Sequence, residues 1–154
     1  MSDDGSERAV AAAEGLGLAF EVTRHGPVRS LEEAAAARGV DPHQVVKTMV
    51  VRVSEGEHVF VLVPGDREIA WPKLRALLGV NRLTMASVEE AYDVTGYVRG
   101  TITPLGSLTP LRVIADSSLA GQISLGGGAP GVAFMVDAAA VVAALGAATA
   151  DVTG

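Results

Sequence analysis

Apolar positions recur along the chain in alternating helical and strand-like spacing, and polar or glycine-rich breakers separate the segments. Ser6 stands where it would cap a helix over residues 7–16, Gly17 stops that helix, and residues 19–23 then read as a short strand. Ser30 and Glu33 have capping-box spacing ahead of an alanine-rich helix that ends at Gly39. Asp41 and Pro42 open one further helical turn. Residues 45–53 are rich in β-branched side chains, 54–57 form a polar turn and 58–63 are again apolar, which predicts an antiparallel hairpin. Pro72 starts a helix that Gly79 stops, residues 83–85 are a short strand, and Ser87 with Glu90 repeats the capping box. Residues 96–110 hold three glycines and two prolines among hydroxyl side chains, the composition of a long ordered loop. Three more strands are expected at 111–115, 122–125 and 132–136, then a helix capped by Asp137 that ends near Gly146 and a frayed tail.

Strands joined mainly by short turns, with helices interspersed but no regular βαβ alternation, predict a single α+β domain. Its sheet should be mixed, largely antiparallel and twisted or barrel-like, spanning residues 1–150 with a tail at 151–154. Composition narrows the chemistry. The chain has no cysteine, so disulfides, thiolate metal sites and a cysteine nucleophile are excluded. His25, His43 and His58 fall in separate segments without metal-ligand spacing, and neither a metal nor a cofactor is expected. A formal charge of −6 argues against broad phosphate neutralisation, so contact with nucleic acid should be weak and local. All twelve basic residues lie between Arg8 and Arg112, which confines such a face to the first three quarters of the chain. The first residues are acidic and polar with no signal pattern, and the longest uncharged apolar run, 138–148, is too short for a bilayer; the protein reads as cytoplasmic, with no membrane contact.

Familiar catalytic motifs fail on context. The glycines from Gly126 to Gly131 fit GxGxxG in form, but a strand rather than a helix follows them, so they read as a hairpin turn. Neither a phosphate-cradling Lys-Ser or Lys-Thr nor a Gly-x-Ser-x-Gly elbow occurs. Asp66, Asp116 and Asp137 read as turn or cap residues, and Trp71 as a packing residue. Lys47 lies within the otherwise apolar strand 45–53. It is either an edge lysine that snorkels to solvent or a fixed positive charge at a pocket floor, suited to a phosphate or a developing oxyanion. Glycines and prolines in the 100–106 loop are the ingredients of a backbone N–H cradle, and equally of a structural turn.

These features occur in an order that resembles the YbaK and prolyl-tRNA-synthetase-associated family of aminoacyl-tRNA editing domains. Val45-Val46-Lys47-Thr48-Met49-Val50-Val51 is similar to the lysine strand of that family, preceded by His25 and the Ser30 helix start. Val63-Pro64-Gly65-Asp66-Arg67 resembles its next landmark, Gly100 to Gly106 its Gly-x-x-x-Pro-x-Gly loop, and Gly126 to Gly131 its late glycine turn. There are departures. Ala70 stands where the family often has aspartate, Ala129-Pro130 replaces a basic residue of the late turn, and Thr101 occupies a position that is often glycine in the cysteinyl-specific branch.

The resemblance implies that Lys47 and Gly100 are the catalytic positions. It implies substrate contacts from His25 and Thr48, from Thr101, Ile102, Thr103, Pro104 and Gly106 in the proline loop, and from Gly127, Gly128 and Gly131 in the late turn. The implied activity is trans-editing deacylation of a mischarged tRNA, Cys- or Ala-tRNA(Pro), without a protein nucleophile and with groups of the substrate assisting. The implied partners are the aminoacyl-tRNA acceptor end and prolyl-tRNA synthetase. A non-catalytic synthetase adaptor or small amino-acid-binding module of the same fold is the alternative.

Overall fold

The structure, a computed structural model, describes residues 5–154; Met1–Asp4, the start of the acidic segment without a signal pattern, lie outside the described residues. Helix α1 (Ser6–Gly15) leads to strand β1 (Phe20–Arg24), then α2 (Leu31–Arg38) and a 3-10 turn (Pro42–Gln44). The hairpin β2 (Val46–Ser54) and β3 (Glu57–Pro64) follows, then α3 (Trp71–Leu78), the two-residue β4 (Thr84–Met85) and α4 (Val88–Thr95). After a long loop come β5 (Arg112–Asp116), β6 (Gln122–Gly126), β7 (Val132–Asp137), α5 (Ala138–Leu145) and β8 (Ala148–Ala150). This is a mixed α+β fold.

One sheet has the order β1-β7-β6, antiparallel throughout. The other has the order β4-β2-β3-β5-β8, antiparallel across β4, β2 and β3 and parallel across β3, β5 and β8. A parallel bridge between Val45 and Ser124 brings the two sheets edge to edge. The turn between β6 and β7 is the expected hairpin: the Gly127 N–H donates to the Val132 carbonyl at 2.9 Å.

Alternation along β3 divides the core. Phe60 and Leu62 belong to the cluster that includes Leu125, Phe134 and Val141, whereas Val59, Val61 and Val63 face the cluster that includes Leu74, Ile114 and Val152. Burial on both faces explains why β3 reads as a continuous apolar run, each large side chain contributing about 1.5–3 kcal/mol relative to exposure. No helix among the described residues is long and apolar enough to cross a membrane.

Two expectations are corrected. The N-cap of α1 is Gly5, with no side-chain cap bond, and Ser6 is already helical. The tail does not fray: β8 extends the second sheet, and Val152 and Thr153 are buried. The signal for fraying is absence of regular apolar spacing, but this segment is held by a buried carboxylate, Asp116, far away in sequence.

Candidate functional site

A cavity of about 620 Å³ opens where β2 loses its neighbour. The partner β4 covers only Val51 and Arg52, and at the other end Val45 bridges to Ser124. Between them residues 46–49 have no paired strand on that edge among the described residues, and this stretch forms one wall. The Val50 carbonyl accepts the Ala86 N–H at 3.0 Å, so Val50 directs its backbone groups away from β3. Strand alternation then turns the N–H and C=O of Thr48 the same way, toward the cavity. Thr48 Oγ1 is also buried and has no hydrogen-bond partner.

The facing wall is the start of α4, through Ser87, Val88 and Ala91. Its geometry follows from a full capping box: Ser87 Oγ accepts the Glu90 N–H at 3.1 Å and Glu90 Oε1 accepts the Ser87 N–H at 3.2 Å. The other Glu90 oxygen lies 2.7 Å from His58 Nε2. Glu90 has a lowered pKa, first through the His58 hydrogen bond and then through the Ser87 N–H.

The loop after α4 completes the cavity with Arg99, Gly100 and Ile102. It is held from behind. The Tyr97 hydroxyl donates to the Leu105 carbonyl, Arg8 stacks over the Tyr97 ring at 4.4 Å, and Arg8 Nε donates to the Gly106 carbonyl at 2.6 Å. Burial raises the Tyr97 pKa, opposed in part by the Arg8 charge, which keeps the hydroxyl a donor. The Gly128 N–H donates to the Thr101 carbonyl at 3.0 Å and fastens the loop to the late glycine turn. Gly100 has φ of +89°, the left-handed region that favours glycine.

The expected site residues therefore divide. Lys47, Thr48, Gly100 and Ile102 line one cavity. Thr101, Thr103 and Pro104 are buried behind it, and Gly106 packs against Arg8 and Tyr97. Gly127 packs against Val132, and Gly128 against Gly5 and Tyr97. Gly131 abuts the backbone of His25, whose N–H donates to the Gly131 carbonyl at 2.9 Å. Neither His25 nor any of the glycines 127, 128 and 131 lines the cavity. Lys47 contributes to the wall, but alternation puts its side chain on the face of Met49 and Val51, opposite Thr48. Its Nζ donates to the Arg67 carbonyl at 2.6 Å and to Glu68 Oε2 at 3.2 Å. That ion pair is solvent-exposed at Glu68 and contributes no more than about 1 kcal/mol, so it is readily exchanged for a ligand.

Arg38, at the end of α2, also lines the cavity and was not legible as a site residue. In sequence it is simply a basic residue in a last helical turn, where it complements the helix dipole. In the fold its Nε donates to His25 Nε2 and its Nη1 to Ser124 Oγ, both at 3.3 Å. Burial lowers its pKa from the ordinary value, yet a guanidinium remains a cation at neutral pH. With Lys47 and Arg99 it makes three basic residues on a cavity wall that has no acidic one, in a chain of net charge −6.

Residues 25–144 match the family described as the aminoacyl-tRNA editing domain. This chain belongs to that family. The editing domain is 40% identical over 94 residues to a proline--tRNA ligase of Geobacter sp. (strain M21), covering 61% of this chain and 16% of the ligase. It is 32% identical over 106 residues to the proline--tRNA ligase of Bacillus licheniformis, covering 68% of this chain and 18% of that one. The chain thus spans less than a fifth of the length of these ligases. Among solved structures, that of a proposed trans-editing enzyme for prolyl tRNA synthetase superposes with a TM-score of 0.91 at 29% identity, covering 100% of this chain and 99% of that one. The editing domain is therefore related both to prolyl-tRNA synthetases and to free-standing YbaK-like trans-editors.

Proposed function

We propose that this editing domain acts in trans as an aminoacyl-tRNA deacylase on mischarged tRNA(Pro), with alanine or cysteine as the amino acid removed. The observation that carries this reading is the basic cavity at the open edge of β2, where Lys47, Thr48 and Gly100 meet. A synthetase separates amino acids that differ by a methylene or an isosteric group by only about two orders of magnitude on pocket contacts, so a second hydrolytic sieve is useful. The apolar part of the cavity, from Val46, Val50 and Ile102, suits a small side chain, and its basic residues suit the tRNA end.

In the proposed reaction the Thr48 edge and the loop at Gly100 hold the aminoacyl ester, and Lys47 exchanges its Glu68 contact for the nucleic acid. A water oxygen bonds to the ester carbonyl carbon, the bond from that carbon to the ribose oxygen breaks, and the ribose oxygen takes the proton. A neighbouring ribose hydroxyl relays that proton, so positioning supplies the rate. Prolyl-tRNA synthetase is the proposed partner, and a cytoplasmic location follows from the substrate.

The engagement of Lys47 with Arg67 and Glu68 favours a second reading, a non-catalytic adaptor or amino-acid-binding module, because the ammonium group is then held by the protein itself and not offered to an ester. Deacylation by the purified Lys47→Ala protein separates the readings. A folded variant with full activity would remove the lysine from the mechanism, while binding without turnover in the unaltered protein would favour the adaptor.

A further inference from the structure

We propose that Arg38 is the phosphate-holding residue of the cavity and takes the phosphodiester that precedes the terminal nucleoside of an aminoacyl-tRNA; this assignment rests on the editing reading. Among the described residues no carboxylate lies within ion-pair distance of this guanidinium. A partly buried cation without a counter-charge is costly unless a ligand supplies one. Of the five N–H donors of a guanidinium, Nε–H goes to His25 and one on Nη1 goes to Ser124, which leaves three without an acceptor among the described residues.

The two bonds that do form fix the fork. His25 Nδ1 lies 2.8 Å from the Gly26 carbonyl, which can only accept, so the proton is on Nδ1 and Nε2 is the acceptor for Arg38. Ser124, fully buried in β6, holds the other side. A planar donor set locked by two neighbours is suited to the paired oxygens of a phosphodiester. His25 acts here as a positioning residue for Arg38, which accounts for its place outside the cavity wall.

The alternative anion is a carboxylate. In an aminoacyl ester the carboxyl group is esterified and neutral and the amino group is cationic, so the phosphodiester is the nearby anion that this substrate offers. Lys47 is already engaged by the Arg67 carbonyl and Glu68, whereas Arg38 has open donors before any ligand arrives.

The test is a calorimetric or NMR titration with the dinucleotide CpA, which carries one natural phosphodiester, and with its uncharged methylphosphonate analogue. The unaltered protein is expected to prefer CpA by about tenfold, the size of a charge-assisted hydrogen-bond pair. Arg38→Ala should bind both equally, Arg38→Lys should recover part of the preference, and Arg112→Ala, an exposed charge that does not line the cavity, should behave as the unaltered protein. Thermal melting of each variant verifies that it is folded. Failure of the unaltered protein to discriminate, whether both ligands bind or neither does, overturns the assignment, and so does a preference that survives in Arg38→Ala. Loss of free alanine binding in Arg38→Ala with CpA binding intact assigns the residue to a carboxylate instead. The titration reads no hydrolysis, so failure of the deacylase reading is a separate result.

Discussion

Asp116 Oδ1 accepts the Val152 N–H at 3.1 Å and the Thr153 hydroxyl at 3.0 Å, so a carboxylate at the end of β5 anchors the last residues of the chain. Its other oxygen accepts the N–H and hydroxyl of Ser118. The residue is 1% exposed. Burial pushes its pKa up, but the hydrogen bonds from Ser118, Val152 and Thr153 more than offset this and hold it below the ordinary value.

Replacing Asp116 by alanine leaves these donors without an acceptor and should destabilise the fold by about 3 kcal/mol, read from urea unfolding. The pH dependence has a definite sign. Because the folded pKa lies below the unfolded one, the contribution is complete above about pH 4 and is lost as the pH falls through the lower folded value. Melting temperature should therefore drop in acid for the unaltered protein and less steeply for Asp116→Asn. A parallel acid profile in the two would count against this role.

Thr48→Val keeps the shape of the side chain and removes a hydroxyl that is buried without a partner. The variant should be as stable as the unaltered protein or more stable, by up to about 1 kcal/mol, while its affinity for the aminoacyl substrate falls. Denaturant unfolding and KM for deacylation measure the two effects separately. A loss of stability with unchanged KM would mean that the hydroxyl serves the fold.

Gly100 and Gly126 both line the cavity but should respond to alanine for different reasons. At Gly100 an added Cβ meets nothing within 4 Å, so the cost is conformational, about 1–2 kcal/mol at φ of +89°. At Gly126 the added atom would lie 2.7 Å from the Ile102 carbonyl and push the loop away from β6. Gly100→Ala should thus keep the ring environment of Tyr97 in NMR spectra while reducing activity, and Gly126→Ala should perturb the resonances of the whole 100–106 loop.

Local signals in this chain were legible because they are self-contained. Ser30 and Ser87 accept N–H groups three residues on, Asp137 caps α5, and Gly39, Gly79, Gly96 and Gly146 all stand in the left-handed conformation after a helix. The 45–63 hairpin was legible from its apolar runs. β8 was not, because a three-residue strand at a sheet edge depends on a partner, β5, distant in sequence. The site shows the same limit. Lys47, Thr48, Gly100 and Ile102 could be singled out from motif resemblance, but Arg38 enters the cavity at the end of α2 with a bond to Ser124 of β6, and that long-range contact has no signature near Arg38 itself. Alternation alone sets Lys47 and Thr48 on opposite faces of β2, but which core each face meets is known only from the neighbours of that strand.

The open edge of β2 is the proposed place of ester hydrolysis. The most direct test is release of labelled amino acid from tRNA(Pro) charged in turn with alanine, cysteine and proline. One mischarged species should be hydrolysed faster than the prolyl form, with this activity lost in the folded Lys47→Ala variant; release no faster than the spontaneous rate from all three would overturn the proposal.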